Sequence, residues 1–127
     1  MSDTEPMRAE IFSYGLGRDA RRLCRLVERQ VAAAFSVPTR ELRARQRRSA
    51  SVALARQSAM YLAHVSLGLN YTQIGQAFKR DRTTAAHACR LVETLRDDPM
   101  LDRMIGKIET AMAGLARPRG AGGKPCQ

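Results

Sequence analysis

At 127 residues the chain has the length of one domain with room for a short extra helix or a tail. Its 22 Lys and Arg against 12 Asp and Glu leave a net charge of +10, nearly all of it carried by Arg, which forks bidentately onto phosphates and base edges. An excess of this size points to a polyanionic partner, nucleic acid first and an anionic membrane second, while 5% aromatic residues and no Trp argue against a single-strand binder built on stacked bases.

Cys24, Cys89 and Cys126 are odd in number and widely spaced, so neither a disulfide framework nor a zinc site follows from them. His64 and His87 stand in no metal-ligand spacing, and no metal or cofactor is expected. No signal peptide is read, and no apolar stretch approaches the roughly 18 residues that a membrane span needs. The expected setting is the cytoplasm, in association with the nucleoid, with no membrane partner.

Residues 1–18 read as a loose arm, with Gly15 and Gly17 breaking any pattern. From Asp19, a candidate N-cap, Ala20, Leu23, Cys24, Val27, Val31, Ala34 and Phe35 recur at three- and four-residue steps and predict a helix with this stripe inside. Ser36-Val37-Pro38 stops it, and Pro38 suits the first turn of a short helix through Leu42. Arg43-Ala44-Arg45-Gln46-Arg47-Arg48 has no apolar periodicity and reads as a basic loop. Ser49 or Ser51 then caps a helix to Leu67, with Val52, Ala55, Ala59, Leu62, Ala63 and Ser66 inside and Gly68 as its C-terminal stop.

Thr72 opens a short helix with Ile74, Ala77 and Phe78 inward, and Lys79-Arg80-Asp81 breaks it. A longer helix follows from Arg82 to about Leu95, its inner stripe being Ala85, Ala88, Cys89, Val92 and Leu95. Asp98-Pro99 is a cap followed by a proline at the first helical position, and Leu101, Met104, Ile105, Ile108 and Met112 mark the last helix. Residues 115–127 are rich in Pro and Gly and read as a disordered tail. No strand-like alternation or internal repeat occurs, so the expectation is an all-α compact bundle over residues 19–114.

The segment from 72 to 95 has the proportions of a helix-turn-helix, in which the first residues of the second helix approach base edges in the major groove. Here these are Asp81, Arg82, Thr83 and Thr84, followed one turn later by Ala86, His87 and Arg90. Arg can read guanine, Asp can accept from a cytosine amino group, and a Thr methyl can meet a thymine methyl. The plainer alternative is that Asp81 is an N-cap and that Arg82 and Thr83 are an ordinary solvated face.

From Val31 to about Ile108 the chain resembles the C-terminal DNA-binding domain, domain IV, of the bacterial replication initiator DnaA. The matching residues are Glu41-Leu42, Arg47-Arg48-Ser49-Ala50-Ser51-Val52-Ala53, Arg56-Gln57, Ile74-Gly75, Ala77-Phe78, Arg80-Asp81, Thr83-Thr84, His87-Ala88-Cys89-Arg90 and Glu93. The resemblance implies a helical, Trp-repressor-like domain that recognises a short asymmetric DNA box. It implies that Asp81 and Thr83 read bases in the major groove and that Arg48 enters the adjacent minor groove; Arg82 and Thr84, in the same first turn, are expected to face bases beside them. It implies phosphate contacts for Arg56 and for the backbone amides near Thr72; Arg45, Arg47, Arg80, His87 and Arg90 are expected on phosphates as basic residues of the loop and of the helix-turn-helix. Cys89 is expected in the core.

Three departures from the family stand out. The turn is one residue shorter than the family's usual double glycine, with Lys79 alone between Phe78 and Arg80. Arg82 replaces a base-reading histidine, and His64 replaces a lysine on the preceding helix. DnaA itself is an ATPase, whereas Gly120-Ala121-Gly122-Gly123-Lys124-Pro125 only superficially resembles a phosphate-binding loop, since Pro follows the Lys and no strand precedes it. No nucleotide binding and no enzymatic activity are expected. The chain reads as a regulator acting by occupancy of DnaA-box-like or related sites, in transcription or as a competitor in replication. Two rivals are an interaction protein recruiting DnaA or RNA polymerase through the helix from Asp19 to Phe35, and a non-specific nucleoid or RNA binder.

Overall fold

The computed structural model describes residues 17–43 and 49–116, which form six helices and no strand. The all-α expectation holds for them. The basic loop residues Arg45, Arg47 and Arg48, the N-terminal arm before Gly17 and the tail after Ala116 lie outside the described residues.

Helix α1 spans Arg18–Phe35 and buries Cys24, Val27, Glu28, Val31 and Ala32. Two details correct the sequence reading. Gly17 occupies the cap position and makes no side-chain cap bond, while Asp19 lies inside the first turn, where its carboxylate meets the positive end of the helix. Ala34 is exposed and Ala32 is buried in its place. The chain leaves through Ser36 in the left-handed region (φ 57°) and folds back, the Val37 amide bonding to the Ala32 carbonyl at 3.0 Å, so the covered side shifts toward Ala32. Helix α2, Thr39–Arg43, follows Pro38 directly and drives Leu42 into full burial.

Helix α3, Ala50–Leu67, is the centre of the bundle and packs against each of the other five. Ser49, not Ser51, caps it, its hydroxyl accepting from the Val52 amide at 3.2 Å, and Gly68 (φ 73°) ends it as expected. Its apolar residues surround it on most sides, as befits a helix with neighbours all round. Fully buried side chains such as Leu62 contribute roughly 1.5–3 kcal/mol each by leaving water.

Helix α4, Tyr71–Phe78, starts one residue before the predicted Thr72 because Asn70 and Gln73 form a reciprocal capping box. The Asn70 side chain accepts from the Gln73 amide at 2.8 Å, and the Gln73 side chain accepts from the Asn70 amide at 2.9 Å. Helix α5, Arg82–Leu95, buries Ala85, Ala88, Cys89 and Val92 as the spacing predicts. Leu95 does not join them. It is 36% exposed, lining a shallow groove with Phe35 and Leu54 that opens to solvent. Helix α6, Pro99–Ala116, begins at the proline, with Asp98 accepting from the Leu101 amide at 3.3 Å, and buries Leu101, Ile105, Ile108 and Met112 against α1 and α3. Met104, expected inside, is half-buried.

Arg96, which the sequence did not single out, ties the corner between α5 and α6. Its Nε donates to Asp102 at 2.6 Å, and its Nη1 donates to Glu109 at 2.9 Å and to the Tyr61 hydroxyl at 3.0 Å, with the guanidinium 5.7 Å from the Tyr61 ring centroid. Burial works against the charge, but the bonds to Glu109, Tyr61 and Asp102 outweigh it and hold the guanidinium above its ordinary range.

Candidate nucleic-acid interface

The α4–α5 unit is fixed by backbone geometry. Lys79 sits in the left-handed region (φ 59°) and reverses the chain in a single residue. The Arg80 amide then bonds to the Gly75 carbonyl at 2.9 Å, pressing the turn onto α4. At this approach a Cβ on Gly75 would collide with the Arg80 carbonyl oxygen, so the close packing of turn on helix requires glycine there. The Arg80 side chain curls over the same turn, donating to the Lys79 carbonyl at 3.1 Å and reaching the Phe78 carbonyl at 3.4 Å.

The turn delivers α5 with its first residues in water. Asp81, Arg82, Thr83 and Thr84 are all exposed. Asp81 is the N-cap: its Oδ1 accepts from the Thr84 amide at 2.8 Å, and this bond together with the Thr84 side chain holds the carboxyl below the usual carboxylate range. It therefore carries a full negative charge at neutral pH. The capping role and a base-facing role are compatible, because Oδ2 is not the atom that caps.

Thr83, Thr84, His87 and Arg90 share one side of α5 and face the side of α3 that carries Ala53, Arg56, Gln57 and Met60. Arg80 closes the end of an open groove of about 640 Å³. The structure thus brings Arg56, Arg80, Thr83, Thr84, His87 and Arg90 into one surface. Arg82 stands at the same turn on the flank of α5 away from the groove, and Asp81, the N-cap, does not line the groove either. Thr72 is half-buried in the first turn of α4, where the capping box occupies the Gln73 amide and leaves those of Tyr71 and Thr72.

Arg56 is not a simple surface cation. It is 7% exposed, its Nε donates to the Leu42 carbonyl at 3.0 Å, and its Nη2 donates to the Glu41 carbonyl at 3.1 Å. These bonds tie the end of α2 to α3 at the entrance of the basic loop, while the residue still lines the groove. Gln57, which the sequence marks only as half of the pair Arg56-Gln57, also lines the groove. Its membership of the groove follows from sharing a helical face with Ala53 and Met60. His64, where the family has lysine, takes a packing role: Nδ1 is 2.9 Å from the Leu69 carbonyl and the ring lies 4.8 Å from that of Tyr71. Cys89 is core, with Sγ donating to the Met60 carbonyl at 3.7 Å and its thiol pushed up to about 11 by burial.

Residues 24–92, more than half of the chain, match the family of the bacterial DnaA protein helix-turn-helix. The chain belongs to that family. The chromosomal replication initiator proteins DnaA of Thermoanaerobacter sp. (strain X514) and of Thermoanaerobacter pseudethanolicus are each 30% identical to it over 91 residues. That of Caldanaerobacter subterraneus subsp. tengcongensis is equally similar. In each case the alignment takes in 71% of this chain and 20% of the relative, so the chain spans about a fifth of the length of the curated relatives it matches. Membership of the DnaA helix-turn-helix family supports DNA binding by a non-catalytic, DnaA-like domain. The match begins within α1 at Cys24 and ends within α5 at Val92, leaving the Arg96 corner and α6 beyond it. No described helix is long and apolar enough to cross a membrane.

Proposed function

We propose that this chain recognises specific double-stranded DNA, at DnaA-box-like or related sites, and acts by occupying them as a regulator of transcription or replication. The observation that carries the reading is the exposed first turn of α5, where Asp81, Arg82, Thr83 and Thr84 stand clear of the fold beside a groove lined by Arg56, Arg80, His87 and Arg90. A duplex lying against this end of α5 meets base-reading side chains at the centre and cations at the margin. The Tyr71 and Thr72 amides would face a phosphate at the N-terminus of α4. Arg48, in the basic loop, would enter the neighbouring minor groove, with Arg45 and Arg47 on phosphates. The chain works in the cytoplasm, on the nucleoid.

Selection of bound fragments from a random duplex library, using the full chain, tests this. Enrichment of one short asymmetric motif is the expected result. Tight binding that falls steeply with salt yet enriches no motif would reduce the protein to a charge-driven binder.

A further inference from the structure

Helix α1 carries a second basic surface, apart from the reading turn. Arg18, Arg21, Arg22, Arg25 and Arg29 are all exposed and fall within about 100° of the helix circumference, on the side turned away from the buried Val27 and Val31. From Arg18 to Arg29 the stripe runs about 17 Å along the axis. Neither acid of the helix interrupts it: Asp19 lies beside the stripe, and Glu28 is buried. The helix itself gains nothing from this pattern. Arg18 and Arg22, Arg21 and Arg25, and Arg25 and Arg29 are like charges four residues apart, which repel one another. Arg18 and Arg21 also stand in the first turn, at the positive end of the helix dipole, where cations are unfavourable. A charge pattern that works against its own helix is accounted for by what it binds.

We propose that this stripe is a second, sequence-independent site for duplex DNA, so that one chain bridges two duplex segments. About 17 Å of duplex axis carries about five phosphates per strand, one for each arginine of the stripe. The stripe is not an extension of the groove between α3 and α5, since none of its arginines lines that groove. Helix α3 turns Ala53, Gln57 and Met60 to the groove and buries Ala55 and Leu62 about half a turn away around its axis. Ala55 and Leu62 share one core with Val27 and Val31 of α1, whose arginines face outward from it. A duplex held at the first turn of α5 thus leaves the stripe free for another. A lipid surface fits the stripe less well, because a helix lying in a membrane needs a free apolar side, and that of α1 is already spent on the core. The bridge rests on the α5 reading for its first duplex only.

A capture assay with the full chain tests this. One duplex is immobilised, and a second, labelled duplex of unrelated sequence is added with the protein. The wild type should retain the labelled duplex, and retention should fall steeply with salt. Arg22→Gln combined with Arg29→Gln should capture several-fold less, with a salt slope lower by about two units. Its affinity for the immobilised duplex alone and its order of preference among sequences should stay as in the wild type. Arg22→Lys with Arg29→Lys keeps the charge and should capture normally. So should Arg103→Gln with Lys107→Gln, which removes the same charge from exposed positions of α6. A wild type that binds the immobilised duplex but captures no second one overturns the proposal and leaves the α5 reading standing. Capture that persists without any enriched motif supports the stripe and counts against the α5 reading alone. An equal loss in the α6 pair overturns the proposal, reducing the effect to net charge. A stripe variant whose single-duplex affinity falls in step with capture overturns it by joining the arginines to the first duplex. One that captures normally yet no longer binds phosphatidylserine vesicles overturns it in favour of a membrane.

Discussion

Asp81 and Arg82 are neighbours in the chain, yet they are constrained differently. The Thr84 amide and side chain bond the Asp81 carboxylate and hold its pKa below the ordinary 3.8. A carboxyl whose folded pKa is depressed contributes stability above its unfolded pKa and loses it as pH falls through the folded value. The melting temperature of wild type should therefore exceed that of Asp81→Asn by a constant amount from neutrality down to about pH 5, and the gap should close at more acid pH. Asn keeps the cap geometry, so the comparison isolates the charge. A gap that persists below the carboxylate range would assign the effect to something other than ionisation. Arg82 has no such anchor, being exposed on the outer flank of the first turn. If its guanidinium bonds guanine O6 and N7 together, Arg82→Ala should relax selectivity at one base pair by roughly 1–3 kcal/mol, and Arg82→His should shift preference toward the usual DnaA box. Binding to a set of single-base variants at two salt concentrations reads this directly. Uniform weakening across the set, with the salt slope lower by about one unit, would make Arg82 a phosphate contact.

The helix-turn-helix is the element on which these side chains depend, and its weak point is the contact of Gly75 with the turn. Gly75→Ala forces a methyl into the Arg80 carbonyl, which is backbone and can yield only if the turn moves. A loss of about 1–3 kcal/mol in a denaturant titration is expected, together with weakened DNA binding as α5 changes its angle. Lys79→Gly should act the other way and gain up to about 1 kcal/mol, because Lys79 holds a left-handed conformation that glycine adopts freely. Gly75→Ala at wild-type stability would show that the turn is looser than its hydrogen bond to Gly75 implies. Much of this unit is legible in the sequence, since Ile74, Phe78, Ala85, Ala88, Cys89 and Val92 repeat with helical spacing and are all buried. Boundaries are less legible. Asn70 and Gln73 have capping-box spacing, but Asn is an unusual partner in that box, and the apolar pattern alone begins at Thr72 and Ile74. Leu95 shows the limit of periodicity: it lies on the inner side of α5 but at the helix end, where α1 and α3 leave the groove open. The joint face of Arg56, Gln57 and His87 is a tertiary fact, formed where α3 meets α5, and no local spacing announces it.

Across the whole molecule, the two ends of α5 divide the labour. The first turn and the α3 face carry exposed and groove-lining arginines, while the far end carries acids and is fastened by Arg96 to α3 and α6. The bonds of Arg96 all lie at the end of α5 remote from its first turn, so their loss is expected to bear first on stability. Arg96→Ala removes charge-assisted bonds and leaves Glu109, whose side chain is 31% exposed, without its cation. The cost should be about 2 kcal/mol, equivalent to a melting temperature lower by roughly 5–15 °C. Double-mutant cycles should divide this unequally. The pair with Glu109 is the better shielded, because the Asp102 side chain is 52% exposed and water screens it more strongly. The coupling of Arg96 to Glu109 should therefore exceed that to Asp102, even though the Asp102 contact is shorter, at 2.6 Å against 2.9 Å. Measured well below its melting point, Arg96→Ala should retain the wild-type order of preference among DNA variants, since the α4–α5 turn does not rest on Arg96. An altered order of preference would mean that the corner sets the angle of α5, and a larger coupling to Asp102 would mean that distance outweighs shielding.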